Sequence, residues 1–370
     1  MKTPRKILIR AVNWIGDAVM TLPALEAVKR LHPEASITVL ARPWAAEIYR
    51  NHPAVDEILI YENTGRHNGL AGKLRLARLL RRSRFDTALL FQNAFDAAMI
   101  AFLAGIPERV GYNRDARRLL LTRAVDLRAG HKLKDGTRLR HHVDYYLDLV
   151  EGWTGIDPRI GHETVMRMHL TDAERAWADT FIANSGLGGA SIIGINPGAT
   201  FGSSKRWFPE RFAEAADRLA ENAGAGVIIF GGPQEVSIAG EIAGRMTNKP
   251  VVAAGRTTLR ELVALIERCD LFITNDSGPM HIAAALDRPV VALFGSTSPE
   301  ATGPYCRNHR IVRPAGTDCA PCFKRKCHKA GTPVCMEEIS VEMAVDAAME
   351  LMKSPPPLGK GGGGGGSNRS

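Results

Sequence analysis

No run of apolar residues in this 370-residue chain approaches the roughly twenty that a membrane-spanning helix needs; runs such as Val290 to Phe294 have the length of a strand. The basic N-terminus does not read as a signal peptide. Arg10 and Asp17 interrupt its apolar stretch and no small-residue cleavage site follows, so a buried first strand and a cytoplasmic location are expected. Signatures of other nucleotide-handling proteins are missing too. The G-x-x-x-x-G-K-[ST] spacing of a Walker A loop is absent, and NWIGDA stands where a G-x-G-x-x-G fingerprint would follow a first strand, which argues against a nucleotide-sugar epimerase. No D-x-D carboxylate pair stands beside the polar loops described below, so no catalytic metal is expected. Aromatic residues make up only 6%, and those of the most basic stretch (Phe85, Phe91, Phe95, Phe102 and Tyr112) fall mostly at core-like positions. Nucleic-acid binding, which needs aromatic faces for base stacking, is the rival reading this weighs against.

What remains is an ordinary globular composition, 45% apolar and 24% charged, with enough length for two α/β domains. The net charge of +9 is concentrated: residues 63–142 hold 17 Lys and Arg against 6 Asp and Glu, a net of +11, which leaves −2 for the rest. Such a stretch suits a polyanionic partner such as a phospholipid surface or a phosphorylated glycolipid, or else is a solvated helix face.

Short β-rich runs alternate with helical runs throughout, the pattern of parallel sheets with crossover helices. Strands are expected at Lys6 to Ala11, Ile37 to Ala41, Ile58 to Tyr61 and Thr87 to Phe91. A helix is expected over Asp17 to Leu31. A basic amphipathic helix is expected over Leu70 to Arg82, with Leu70, Leu74, Ala77 and either Leu80 or Arg81 on successive turns. Arg109 to His142 shows no clear periodicity and reads in part as a mobile loop. A second series has strands at Ser191 to Asn196, Gly226 to Phe230, Val251 to Ala254, Leu271 to Thr274 and Val290 to Phe294, and Val341 to Met352 is a closing helix. The domains are placed at 1–160 and 161–353, with a disordered Pro/Gly-rich tail over 354–370. Two such domains leave a cleft between the carboxyl ends of their sheets.

Three polar segments fall at strand ends. In Asn13-Trp14-Ile15-Gly16-Asp17, Gly16 permits a close turn; Asp17 is either a helix N-cap or a general base facing the cleft. In the segment from Asn196 to Pro209, the amides around Gly198, the hydroxyls of Ser203 and Ser204 and the Lys205 ammonium suit a diphosphate, or the loop is a surface turn. In Thr274 to His281, Asp276 or Ser277 can cap a helix, Gly278-Pro279 exposes first-turn amides to an anion, and His281 either faces the same ligand or is simply buried.

In this order, NWIGDAVMTLPAL, NPGA…SKRWFPERF and NDSGPMHIAAALDRPVVALFGSTSPE resemble the lipopolysaccharide heptosyltransferases of glycosyltransferase family 9, over about Lys6 to Met352. The NWIGD form is similar to the branch that adds the second core heptose. The resemblance implies a GT-B fold, that is, two Rossmann-like parallel-sheet domains facing across a cleft, and inverting transfer from ADP-heptose. The implied acceptor is heptosyl-Kdo-lipid A at the inner face of the cytoplasmic membrane. A family 9 transferase with another acceptor or sugar nucleotide is the alternative. The resemblance makes Asp17 the catalytic base and Lys205 a phosphate contact. It places Asp276, Ser277, Gly278 and His281 on the sugar and diphosphate, and Asn13, Trp14 and Gly16 in the acceptor-side loop. A ribose-binding Glu of the family has only an offset counterpart here, Glu235. Finally, Cys319-x2-Cys322-x4-Cys327-x7-Cys335 is a dense thiol cluster, open between a structural zinc site and a reduced or partly oxidised loop staple.

Overall fold

The computed structural model describes residues 3–128, 140–314, 316–329 and 332–353. Its first half runs β1 (Lys6–Arg10), α1 (Ile15–Met20), α2 (Leu22–Leu31), β2 (Ser36–Ala41), α3 (Pro43–Tyr49), β3 (Glu57–Ile60), α4 (Gly69–Ser83), β4 (Thr87–Leu90), α5 (Phe95–Leu103), β5 (Glu108–Tyr112), β6 (Arg123–Val125) and α6 (His142–Thr154). The second half runs α7 (Asp172–Asn184), β7 (Ile192–Asn196), α8 (Pro209–Ala223), β8 (Gly226–Ile229), α9 (Val236–Arg245), β9 (Val251–Val252), α10 (Leu259–Glu267), β10 (Leu271–Asn275), α11 (Gly278–Ala285), β11 (Val290–Leu293), α12 (Pro299–Thr302), β12 (His309–Val312), α13 (Val334–Glu337) and α14 (Val341–Lys353).

Each half forms a six-stranded parallel sheet. The orders are β3-β2-β1-β4-β5-β6 and β12-β11-β10-β7-β8-β9, so both sheets share one topology. In each, the chain leaves the first strand toward one side and returns to pair with it on the other. That switch point lies between β1 and β4 in one sheet and between β7 and β10 in the other, where the crevice at the carboxyl ends receives ligands. The central strands β7 and β10 are buried throughout and β1 after its first residue, mostly apolar until their polar carboxyl-end residues Arg10, Asn196 and Asn275, because helices cover both faces. No helix among the described residues is long and apolar enough to cross a membrane.

Several sequence expectations need correction. The single helix over Asp17 to Leu31 is two, broken at Thr21, whose hydroxyl donates to Ala18 O (2.6 Å) and lies 2.8 Å from Tyr49 Oη. Pro23 in the first turn of α2 lacks the N–H that a continuous helix would use. The stretch read as irregular after Arg109 contains β5 and β6, and β12 was not anticipated; β6 and β12 are short edge strands without an unbroken apolar run. Residues 129–139 of the expected mobile loop and the tail over 354–370 lie outside the described residues. On α4 the inward face is Gly72, Leu76, Ala77 and Leu80, while Leu70 is 67% exposed. Gly72 sets that register, since a Cβ there would lie 2.4 Å from the His67 backbone.

Candidate active site

The two switch points meet through glycines. α1 follows β1, α11 follows β10, and their first turns pack together. A Cβ on Gly16 would lie 2.8 Å from His281 Cδ2, and one on Gly278 would lie 3.1 Å from Ile15 Cγ2. Only residues without side chains let the helix starts approach this closely. Beside this contact opens a cavity of about 750 Å³. It is lined from the first half by Asn13, Trp14, Gly16, Asp17, Arg42, Trp44 and His142, and from the second by Phe201, Lys205, Asp276, Ser277, Gly278, His281 and Arg325. A second cavity of about 240 Å³ lies along Gly198, Gly231, Glu235, Thr258 and Ser277. Ile15 and Ser277 border both cavities.

Asp17 sits inside the first turn of α1, three places after the N-cap position held by Trp14, and makes no capping bond. Its carboxylate is about one-third exposed, and His142 Nδ1 lies 3.7 Å from it. An acid that caps nothing and faces a cavity is available to a group bound there. His281 is buried, and its Nδ1 has no protein hydrogen-bond partner. Burial, and then the nearness of His141, push its pKa down to about 3, so the ring is neutral at ordinary pH.

The opposite wall is cross-tied. Lys205 Nζ donates to Asp276 Oδ2 (2.5 Å), and the same oxygen accepts from Thr297 Oγ1 (2.6 Å). Asn196 Nδ2 donates to Ser277 Oγ (3.1 Å) and Thr274 Oγ1 (3.3 Å). Asn275 accepts from Trp207 N and donates to Pro197 O, fastening the loop after β10 to the loop after β7. Glu235 Oε2 accepts from Gly232 N (2.7 Å), and a Cβ on Gly198 would lie 2.7 Å from its Cγ.

Most residues singled out from sequence therefore meet here. Asn13, Trp14, Gly16, Asp17, Lys205, Asp276, Ser277, Gly278 and His281 line the larger cavity, and Gly198 and Glu235 the smaller. Two hydroxyls do not join them. Ser203 is exposed and borders neither cavity, and Ser204 is buried, donating to Lys324 O and meeting Ser296 Oγ (3.1 Å). Sequence reasoning missed Arg42, Trp44, His142, Phe201 and Arg325. Arg42 follows the end of β2 directly, so the rule that ligands gather at carboxyl ends of strands could have found it. Trp44 Nε1 donates to Asn13 O (2.7 Å) and supports the loop after β1. Away from the cleft, no two of the six cysteines are joined by a disulfide, and burial, with the nearness of Cys322, Cys319 and Cys327 adding to it, pushes Cys335 up to about 11.

Paired parallel sheets of this order with a shared ligand cleft define a two-domain glycosyltransferase of the GT-B type. The chain belongs to glycosyltransferase family 9 (heptosyltransferase), whose model matches residues 73–332. It is 32% identical to lipopolysaccharide heptosyltransferase 2 of Salmonella typhimurium, over 83% of this chain and 88% of that one. Among solved structures it is similar to E. coli ADP-heptose lps heptosyltransferase II, at 27% identity and a TM-score of 0.75, covering 94% of this chain and 98% of that one. It is also similar to a family 9 glycosyl transferase from Veillonella parvula, at 27% identity and a TM-score of 0.83, with 94% and 97% covered.

Proposed function

We propose that the protein transfers L-glycero-D-manno-heptose from ADP-heptose to heptosyl-Kdo-lipid A, with inversion at the anomeric carbon, in lipopolysaccharide inner-core synthesis. The observation that carries this reading is the glycine contact between α1 and α11, which brings Asp17 and the cross-tied phosphate loops to one cavity. The acceptor lies with the first domain, residues 1–160, against Asn13, Trp14 and Gly16. The donor lies with the second, residues 161–353. Its diphosphate is held by Lys205 and the amides at Ser277 and Gly278, its ribose by Glu235 in the smaller cavity, and its sugar near His281.

Asp17 takes the proton from the acceptor hydroxyl as that oxygen bonds to the anomeric carbon. The bond from that carbon to the diphosphate oxygen breaks on the opposite face, and ADP leaves with the electron pair. Lys205 and the first-turn amides of α11 meet the growing charge. Asp276 holds Lys205 in place, and the reading involves no catalytic ion. Leu70, Leu79, Phe95, Phe102 and Leu119 are exposed within the basic stretch. Together with Arg75, Arg78 and Arg82, also exposed, they suit an anionic membrane surface at the inner leaflet, where each cation adds about 1 kcal/mol.

The test is transfer assayed with ADP-heptose against UDP-sugars, and with heptosyl-Kdo-lipid A against Kdo-lipid A, with and without chelator. The reading expects turnover only with ADP-heptose and the heptosylated acceptor, unchanged by chelator. Turnover with Kdo-lipid A alone, or with another sugar nucleotide, would replace it by a different family 9 specificity.

A further inference from the structure

Two groups outside the cleft bring metal-binding side chains together. Glu26, His52 and His169 have ligand atoms within 4.8 Å of one another. However, Ala54 N–H donates to His52 Nδ1 (3.1 Å), which places the ring proton on Nε2, facing Glu26 Oε1 at 3.7 Å. That nitrogen is a donor toward a carboxylate and offers no lone pair to an ion.

The thiol cluster is different. Cys319, Cys322, Cys327 and Cys335 line one small cavity of about 10 Å³ together with Ser204 and Ser296. The segment that carries the first three has almost no core of its own, whereas Cys335 is buried in α13. Among the described residues from 313 to 333 only Pro314 is buried, and none lies in a helix or strand. Yet the segment is docked closely onto the second half. Phe323 N donates to Ser296 O (2.8 Å), Ser204 N donates to Arg325 O (3.3 Å), and Ser204 Oγ donates to Lys324 O. A Cβ on Gly202 would lie 2.1 Å from Arg325 O. Burial of apolar surface does not account for a strap held this tightly, and four thiols around one cavity supply another means.

We propose that Cys319, Cys322, Cys327 and Cys335 bind one zinc ion as a structural tetrathiolate site that ties the strap to α13, beside the loop carrying Ser204 and Lys205. The four sulfhydryl protons pass to solvent, four Zn–S bonds of about 2.3 Å form, and nothing is oxidised or reduced. Bonds of that length would gather the four sulfurs that line the cavity into one coordination sphere. The strap also carries Arg325, whose guanidinium lies 5.6 Å from the Phe201 ring; Lys205 Nζ lies 4.9 Å from the same ring. The staple thus positions a second cation at the diphosphate end of the cleft. That consequence rests on the proposed donor site, whereas the metal content does not.

The experiment is metal analysis of the full chain, reduced and equilibrated with zinc, alongside intact mass without reductant. The site expects about one zinc per chain, retained in Cys306→Ser and lost in both Cys322→Ser and Cys327→Ser. Should the serine variants fail to fold, cobalt loading of the wild type must give intense thiolate-to-metal absorption that zinc displaces. A wild-type chain that takes up no zinc overturns the proposal. So does a non-reduced mass lighter by the two hydrogens of each disulfide, or bound iron that zinc cannot displace. ADP binding should weaken several-fold when zinc is stripped; zinc loss without any change in ADP affinity would overturn the coupling to Lys205 and Arg325.

Discussion

The loop after β1 and the loops after β7 and β10 occupy equivalent places in two sheets of the same strand order, yet their side chains are held very differently. On the second half, Asn196, Lys205, Asn275, Asp276 and Ser277 each have hydrogen-bond partners on another loop or strand end. On the first half, Asp17 lies 3.7 Å from His142, and Trp14 and Trp44 are 56% and 45% exposed. A pre-formed wall suits a ligand with fixed charges, such as a diphosphate, because its donors need no rearrangement when charge develops. A loosely tied wall with exposed indoles suits a larger partner that completes the site on arrival. One topology thus carries two walls that differ in how far their loops are cross-linked, which is the difference the proposed division between donor and acceptor rests on.

The most severe way to break this contrast is Asp17→Asn. The side chain caps nothing, and its nearness to a half-exposed His142 contributes at most about 1 kcal/mol, so stability should barely change. Loss of the base should lower kcat by about 10²–10⁴-fold. Steady-state kinetics with a parallel melting curve checks both. Undiminished kcat would reduce Asp17 to a structural residue.

Next in size is Gly16→Ala, which tests whether the two walls must touch. The added methyl would stand 2.8 Å from His281 Cδ2, so α1 and α11 must separate. Misplacing reacting groups by about 1 Å costs about 10²-fold in rate. The expected result is a fall of that order in kcat while ADP still binds, since ADP needs only the second wall. Wild-type kcat in Gly16→Ala would mean that the contact does not set the geometry.

A milder test reads the buried imidazole at the seam. An unfolded chain protonates His281 below about pH 6.5, whereas the folded chain, with its pKa pushed down to about 3 by burial, stays neutral. The stability tied to the neutral ring is therefore full above about pH 6.5 and is lost as the pH falls toward 3. His32, His67, His141 and His169 are also lowered by burial and add slope of the same sign. Urea midpoints from pH 4 to 7.5 should fall with acid in the wild type and fall less steeply in His281→Gln. Parallel curves would mean that His281 takes up its proton without cost to the fold.

How far the sequence foretold this arrangement depends on the kind of signal. The central strands were legible because parallel strands covered on both faces read as unbroken Ile/Val/Leu runs. The three site segments were legible because polar, Gly-containing loops follow those runs directly. The edge strands β6 and β12 were not, since they are short and only partly buried. Arg325 and His142 were beyond local reading. Arg325 reaches the cleft through a strap that docks more than a hundred residues back along the chain, and His142 through α6 packing near α1. Ser204 was misplaced for the related reason that a hydroxyl in a phosphate-like loop looks the same whether it faces a ligand or a neighbouring backbone carbonyl.

That ambiguity gives the smallest and sharpest test of the cross-tied wall, the pair Ser204→Ala and Lys205→Ala. Adjacent in sequence, the two side chains point to different partners: Ser204 to Lys324 O and Ser296, Lys205 to Asp276 in the cleft. Removing Lys205 strips a charge from the diphosphate end and leaves the buried Asp276 without its cation, so donor KM should rise strongly and the melting point should drop. Removing the Ser204 hydroxyl deletes bonds to a neutral carbonyl and a neutral hydroxyl, a loss of about 1 kcal/mol in stability. Donor KM should then move little, because the cleft is touched only through the strap. If Ser204→Ala instead raised KM as much as Lys205→Ala at unchanged stability, its hydroxyl would have to leave Lys324 and bind the donor directly. The second wall would then rearrange on binding as much as the first, and the division between a rigid and an adaptable side of the cleft would fail.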